Sequence, residues 1–207
     1  MTTPRQINFG SGKDFKPEFL NIDINDYWSP DVVCDLGKPL FAEGDPKFES
    51  KRFGRVTLAR GGFDRLIAFD VLEHIPDLVT AMTNALELLR TGGVFEVKVP
   101  YDLSYGAWQD PTHVRAFNER SWLYYTDWFW YVGWSEARFV LSGLQMEPSP
   151  FGQELLRNGI PQEAVFRTPR AIDVMGAVLT KVELGVEDLK MVENLEGRRQ
   201  ALALTHA

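Results

Sequence analysis

Gly10-Ser11-Gly12 closes a short apolar run, Arg5 to Phe9, and two aspartates, Asp23 and Asp35, stand at the ends of the next two runs, Phe19 to Ile24 and Asp31 to Leu36. Glycines at a strand end let the backbone approach a ligand closely and take angles closed to other residues. A carboxylate ending the second strand can accept hydrogen bonds from both hydroxyls of a ribose, and one ending the third can accept from the exocyclic amine of an adenine. Each is also readable alone as an ordinary glycine turn or a solvated turn aspartate. Together they describe an adenosine-binding edge at the carboxyl ends of strands, where open α/β sheets bind ligands. A dinucleotide fingerprint would want a third glycine at position 15, which is Phe15 here, so an NAD(P)-dependent dehydrogenase is kept only as an alternative.

Proton transfer would fall to the histidines, His74, His113 and His206. His206 is in the tail. His113 follows the fifth strand, facing the mouth of the expected cleft, and is a candidate general base or substrate contact, against an ordinary capping residue. Asp110 is the carboxylate that would orient it. His74, at a helix start, is expected to bond a backbone carbonyl. No metal is expected: there is no Cys/His cluster, and Glu73-His74 supplies only two ligands.

The elements that must hold these residues alternate short apolar runs with helical stretches, the pattern of an α/β domain with a largely parallel sheet. Lys38 to Gly62 reads as charged loop with a short helix, and Asp64 to Phe69 as a buried strand. Leu78, Met82, Ala85, Leu86 and Leu89 form a helical stripe over 78–89, which Gly92-Gly93 is expected to stop. Val94 to Val99 is the next strand. Val140 to Glu147 and Ile172 to Val182 are expected to pair antiparallel across the long connection 149–170. A helical tail follows from Glu183.

The chain has 207 residues, 44% hydrophobic and 25% charged, the composition of one globular domain, with a formal net charge of −7. That charge disfavours a nucleic-acid partner. The single cysteine, Cys34, allows no disulfide within the chain and fits a cytoplasmic location; no signal-peptide core or membrane span is read. Eight aromatics between Trp122 and Trp134 suit core, an acceptor-pocket wall or a subunit interface; a mixture of core and wall, as a substrate lid, is expected.

Taken in order, Ile7 to Gly12, Leu20 to Ile24, Asp31 to Leu36 with Pro39-Leu40, Phe63-Asp64 through Asp70-Val71-Leu72-Glu73-His74-Ile75-Pro76, Leu88 to Arg90 with Gly92-Gly93, and Asp110-Pro111-Thr112-His113 with Phe117 resemble the class I S-adenosylmethionine (SAM)-dependent methyltransferases. Within them they are similar to a bacterial subgroup described as predicted SAM-dependent methyltransferases. The resemblance runs over residues 5 to 122. It implies a Rossmann-like α/β fold with a mostly parallel seven-stranded sheet, an antiparallel last strand and helices on both faces. The expected organisation is one methyltransferase domain over 1–185, an aromatic-rich insertion at about 103–138, and a helical tail over 186–207.

The cofactor implied is SAM. Phe9, Gly10, Ser11 and Gly12 would line its methionine part, Asp23 and Ile24 would hold the ribose, Asp35 and Leu36 the adenine, and Phe69, Asp70 and His74 would approach the methionine end. His113 and Asp110 are the catalytic candidates. Two departures stand out: Asn8 replaces a common acidic residue, and Gly12 to Phe19 is too short for the usual first crossover helix. An Asn/Asp-Pro-Pro-Tyr motif is missing, which disfavours methylation of a nucleobase amine. The expected activity is O-methylation of a small molecule, such as a sugar or a natural-product intermediate. A non-catalytic SAM-binding domain is a further alternative, and a homodimer is left open.

Overall fold

The computed structural model describes residues 4–205, with side chains described within 4–195; His206 lies outside the described residues. In chain order it contains β1 (Gln6–Phe9), β2 (Leu20–Asp23), β3 (Val32–Val33), β4 (Lys47–Ser50), β5 (Gly54–Thr57), β6 (Phe63–Phe69), α1 (Leu78–Leu88), β7 (Leu89–Pro100) and α2 (Gly106–Gln109). Two 3-10 segments (Glu119–Tyr125, Phe129–Val132), β8 (Ala137–Pro148), α3 (Pro150–Arg157), α4 (Gln162–Phe166), β9 (Ile172–Glu183) and α5 (Val186–Thr205) complete it. No described helix is long and apolar enough to cross a membrane.

Seven strands form one sheet in the order β3-β2-β1-β6-β7-β9-β8. All run parallel except β9, which is antiparallel to both its neighbours. The period-2 alternation of the central strands sends Ile7, Phe9, Leu66, Ala68, Phe95, Val97 and Val99 into the core. The buried stripe Leu78, Ala81, Met82, Ala85 and Leu86 of α1 joins the same cluster. Asp77 caps α1 by accepting from the Thr80 amide at 2.9 Å.

The opposite face of the central strands carries charged and amide side chains beside Ile67 and Phe69. Arg65 of β6 makes a two-pronged pair with Glu96 of β7 at 2.7 and 2.8 Å, and Lys98 pairs with Glu147 of β8. Asn8 and Asn21 hydrogen-bond each other at 3.1 Å. This polarity goes with the missing crossover: β1 reaches the parallel β2 through turns over 10–19, without a helix to bury apolar residues there.

Arg52 helps hold that short connection. Its guanidinium donates to the carbonyls of Pro17 and Phe19 at 3.0 and 2.8 Å, and to both oxygens of buried Asp31 at 2.7 and 3.0 Å. It sits at the turn of the antiparallel hairpin β4–β5, in a region the sequence suggests is loop with a short helix. The hairpin depends on tertiary contacts: Val56 is wholly buried, whereas the flanking Arg55 and Thr57 are exposed.

Gly92 has positive φ, but does not end α1 as expected. The chain leaves the helix directly at Leu89, whose extended backbone pairs with Phe63. Gly92-Gly93 instead serve the irregularity where the register shifts between Phe63 and Arg65.

Candidate active site

The chain order of the sheet reverses between β1 and β6, so the loops that leave these strands open on one crevice. A cavity of about 310 Å³ lies there, at the carboxyl ends of β1, β2, β3 and β6. Its wall brings together Gly10, Gly12, Asp23, Ile24, Asp35, Leu36, Asp70 and His74. Cys34, Gly37, Val71, Ile75 and Pro76 complete the wall; all but Gly37 fall inside the motifs, but none has an expected site role. Apolar residues beside a polar motif carry no sequence mark that separates cleft wall from core.

The glycine loop is tied to β2. Gly10 and Ser11 both donate to the carbonyl of Ile22 at 2.9 Å, and Gly12 donates to Asp23 Oδ2 at 2.7 Å. Gly10 and Gly12 adopt φ of +72° and +44°, which a Cβ would strain. The space where Gly12 would carry a Cβ is open, with nothing within 4 Å.

Asp23 is buried, and its other oxygen accepts from Asn25 N at 2.8 Å. One backbone donor on each oxygen leaves acceptor capacity on both. Asp35 accepts from Gly37 N at 3.0 Å, and the Lys38 ammonium lies 3.5 Å from its other oxygen. Asn84 of α1 fixes the exit from β3: it donates to the carbonyls of Leu36 and Lys38 at 2.9 and 2.8 Å and accepts from Leu40 N at 3.1 Å. Asn8 has a structural task, donating to Asp14 O at 2.7 Å and so fastening the glycine loop.

Across the cleft, Asp70 extends the β6–β7 ladder through its amide to Lys98 O at 2.9 Å while holding a left-handed φ of 55°. Desolvation against the cleft raises its carboxyl above the usual range, opposed by the nearby His74, Lys98 and His113. Glu73 turns away from solvent, 1% exposed, and neither carboxylate oxygen has a hydrogen-bond partner outside its own residue. Burial pushes it up to about 7.

The insertion after β7 docks on this segment. Val114 N donates to Glu73 O at 2.9 Å, and Arg115 donates to the carbonyls of Ile75 and Pro76 at 2.8 and 2.6 Å. The docking carries His113 to His74, with ring centroids 4.6 Å apart in an edge-to-face arrangement. Asp110 does not orient His113 through a hydrogen bond, since its Oδ2 is 4.0 Å from His113 Nε2. It accepts instead from Thr112 N and Oγ1 at 2.8 and 2.6 Å, and Thr112 Oγ1 lies 3.0 Å from His74 Nδ1. The bonds from Thr112 lower the Asp110 carboxyl. His74 thus bonds a hydroxyl and not the backbone carbonyl expected; His113, with its Nδ1 3.3 Å from Ala107 O, has that kind of partner.

Several expected site residues point elsewhere. The Phe9 side chain is fully buried against Phe95, with centroids 5.9 Å apart, so only its backbone borders the glycine loop. Ser11 is buried with an unpartnered hydroxyl. Phe69 lines a different groove, with Lys98, Leu144 and Gln145. None of the aromatics between Trp122 and Trp134 is in the cleft wall. Trp122, Tyr125, Phe129 and Trp134 are core, while Trp130 and Tyr131 line a separate groove against Val192 and Leu195 of α5. The 3-10 geometry explains this: it faces one set of rings inward and leaves Tyr124, Trp128 and Tyr131 exposed.

No family model matches the sequence, and no curated protein matches it. Solved structures do share its fold. A SAM-dependent methyltransferase from Archaeoglobus fulgidus is 15% identical, over 86% of this chain and 86% of that one, with a TM-score of 0.53. A SAM-dependent methyltransferase from Mesorhizobium loti is 12% identical, over 86% and 91% of the two chains, at a TM-score of 0.50. The [4+2]-cyclase SpnF is 14% identical, over 89% and 77%, at 0.51. With its reversed β9 between β7 and β8 and its cleft at the β1/β6 switch point, the chain has the fold of the class I SAM-dependent methyltransferases.

Proposed function

We propose that the protein is a SAM-dependent methyltransferase whose acceptor is a small molecule, with O-methylation of a sugar or natural-product hydroxyl as the finer reading. The observation that carries the proposal is the meeting of Asp23, Asp35 and the open space over Gly12 on one cavity. The residues fit an adenosine group: Asp23 keeps acceptor capacity for a ribose diol, and Asp35 faces the cleft beside apolar Leu36 and Ile75, which suit the flat faces of a base. Ile24, at the rim, would flank the ribose, and Asp70 and His74 the methionine end. The backbones of Phe9 and Ser11 would shape the glycine loop. When bound, SAM supplies a methyl group on a sulfonium centre, open to in-line displacement.

The chain's contribution to such a displacement is alignment and exclusion of water, with a group to handle the acceptor's proton. That group belongs to the cluster of His74, which lines the cleft, with His113 and Asp110 behind it, outside the cleft wall. The acidic net charge and the single half-buried cysteine support a cytoplasmic enzyme with a small-molecule acceptor over a nucleic-acid one.

Calorimetric titration of ligand-free protein with SAM, and separately with NAD, tests the reading. Micromolar SAM binding is expected, weakened about tenfold or more in Asp35→Ala, with no heat from NAD. Asp35→Ala is the cleaner variant, because Asp23 also holds the glycine loop. Absence of SAM binding overturns the proposal. Binding without S-adenosylhomocysteine release across a panel of hydroxylated acceptors would leave a cofactor-binding protein and remove the enzyme.

A further inference from the structure

Glu73, His74 and His113 form a cluster whose purpose the adenosine-binding edge does not explain. One ligand atom of each lies within 4.8 Å of the other two. The sequence shows only the adjacent Glu73-His74 pair; His113 joins it because the insertion docks through Val114 and Arg115.

The carboxylate of Glu73 is the second observation. It is 1% exposed, and its oxygens have no partner from another residue, while one of them lies within 4.8 Å of a ring nitrogen of each imidazole. A buried carboxylate without donors is costly, and such a group calls for a partner that a bound cation would supply. Both rings are also oriented from behind. Thr112 Oγ1 contacts His74 Nδ1 at 3.0 Å, backed by Asp110, and the carbonyl of Ala107 contacts His113 Nδ1 at 3.3 Å. Partners on one ring nitrogen fix the tautomer and present the other nitrogen to a metal.

We propose that Glu73, His74 and His113 bind one divalent transition-metal cation beside the cleft. Two imidazoles and one carboxylate favour Zn²⁺, Co²⁺ or Fe²⁺ over Mg²⁺ or Ca²⁺. Three protein ligands with positions left open is the pattern of a reactive site and not a structural one, which is closed by four. Bonds of about 2.1 Å require the donors to close in on one another, which rotation of the side chains supplies. His74 belongs to the cleft wall, so the open positions border the acceptor end. Resting on the methyltransferase reading, the ligand class there is an oxygen donor of the acceptor, a hydroxyl or a vicinal diol; His113 then acts as a ligand and not as a free base.

The test uses the full chain, freed of metal by chelator and titrated with Co²⁺ while the visible absorption of the bound ion is recorded, then competed with Zn²⁺. One equivalent per chain is expected, displaced by Zn²⁺ and undisturbed by millimolar Mg²⁺. Affinity should fall about 100-fold in His113→Ala, and about tenfold in Thr112→Val, which keeps all three ligands and removes the hydroxyl that links the His74 ring to Asp110. Thr112 is exposed, so the second variant keeps the test valid if the first does not fold. Absence of stoichiometric binding overturns the proposal, as does binding that both variants leave unchanged, since the ion would then sit elsewhere on an acidic surface. The readout needs no SAM. Failure here with intact SAM binding removes the metal site alone, and metal binding without SAM binding removes only the cofactor reading.

Discussion

The Cβ that Gly10 lacks would lie 2.5 Å from Cγ1 of Val71. The loop after β1 and the loop after β6 therefore touch at a spacing too close for a Cβ at position 10, and both residues line the cleft. Gly10→Ala faces two penalties, the φ of +72° and the clash; Gly12→Ala, with open space around it, faces only its φ of +44°. Expected losses are about 3 kcal/mol for the first and about 1 kcal/mol for the second. Urea unfolding measures both, and equal values would show that the Val71 contact does not constrain the loop.

Asp31 and Arg52 make a second test. The Asp31 side chain is 2% exposed and receives both prongs of Arg52 along with the amide of Asn21 at 2.8 Å. Removing one partner strands the others, so Asp31→Ala should cost about 3 kcal/mol. Because Arg52 also holds the carbonyls of Pro17 and Phe19, the loss should be accompanied by faster hydrogen exchange over residues 13–20, read by mass spectrometry. Unchanged exchange there would place the support of the short connection elsewhere.

Cys34 reports on the cleft itself. It is part of the wall, and burial, reinforced by Asp35, pushes its thiol up to about 11. At pH 8 the thiolate is then scarcer than in an ordinary cysteine by roughly two orders of magnitude. Alkylation by iodoacetamide should be about 100-fold slower than for a model thiol and should accelerate as pH rises toward 11. Adenosine or SAM should suppress it further. Rapid alkylation at pH 7 that ligand does not affect would put Cys34 outside the ligand's reach.

The strands that end at Phe9, Asp23 and Phe69 were legible because each is an apolar run closed by a glycine or an aspartate, and the lateral placement of Asp23 and Asp35 follows from that order. The β4–β5 hairpin was not: its charged strands carry little apolar alternation, and Arg52 finds its partners far along the chain. Gly92-Gly93 misled because a glycine pair looks the same after a helix as at an irregular strand start. At the site, Asp110 is expected to orient His113 as carboxylates orient imidazoles elsewhere, but Thr112 takes the carboxylate and passes the contact to His74. The orphaned carboxylate of Glu73 has no sequence signal beyond its place in a Glu-His doublet after a buried strand.

The hydrogen bonds from Val114 and Arg115 to the backbone of Glu73, Ile75 and Pro76 mean that the insertion shares its anchor with one wall of the cleft. Displacing either displaces both. If occupancy at one end of the cleft shifts this shared anchor, affinity at the other end changes by the same factor in each direction. Substitutions in the insertion will not separate into acceptor effects alone: a change at Arg115 is expected to move the dissociation constants of cofactor and acceptor together, and the order in which the two ligands are added will govern what each appears to weigh.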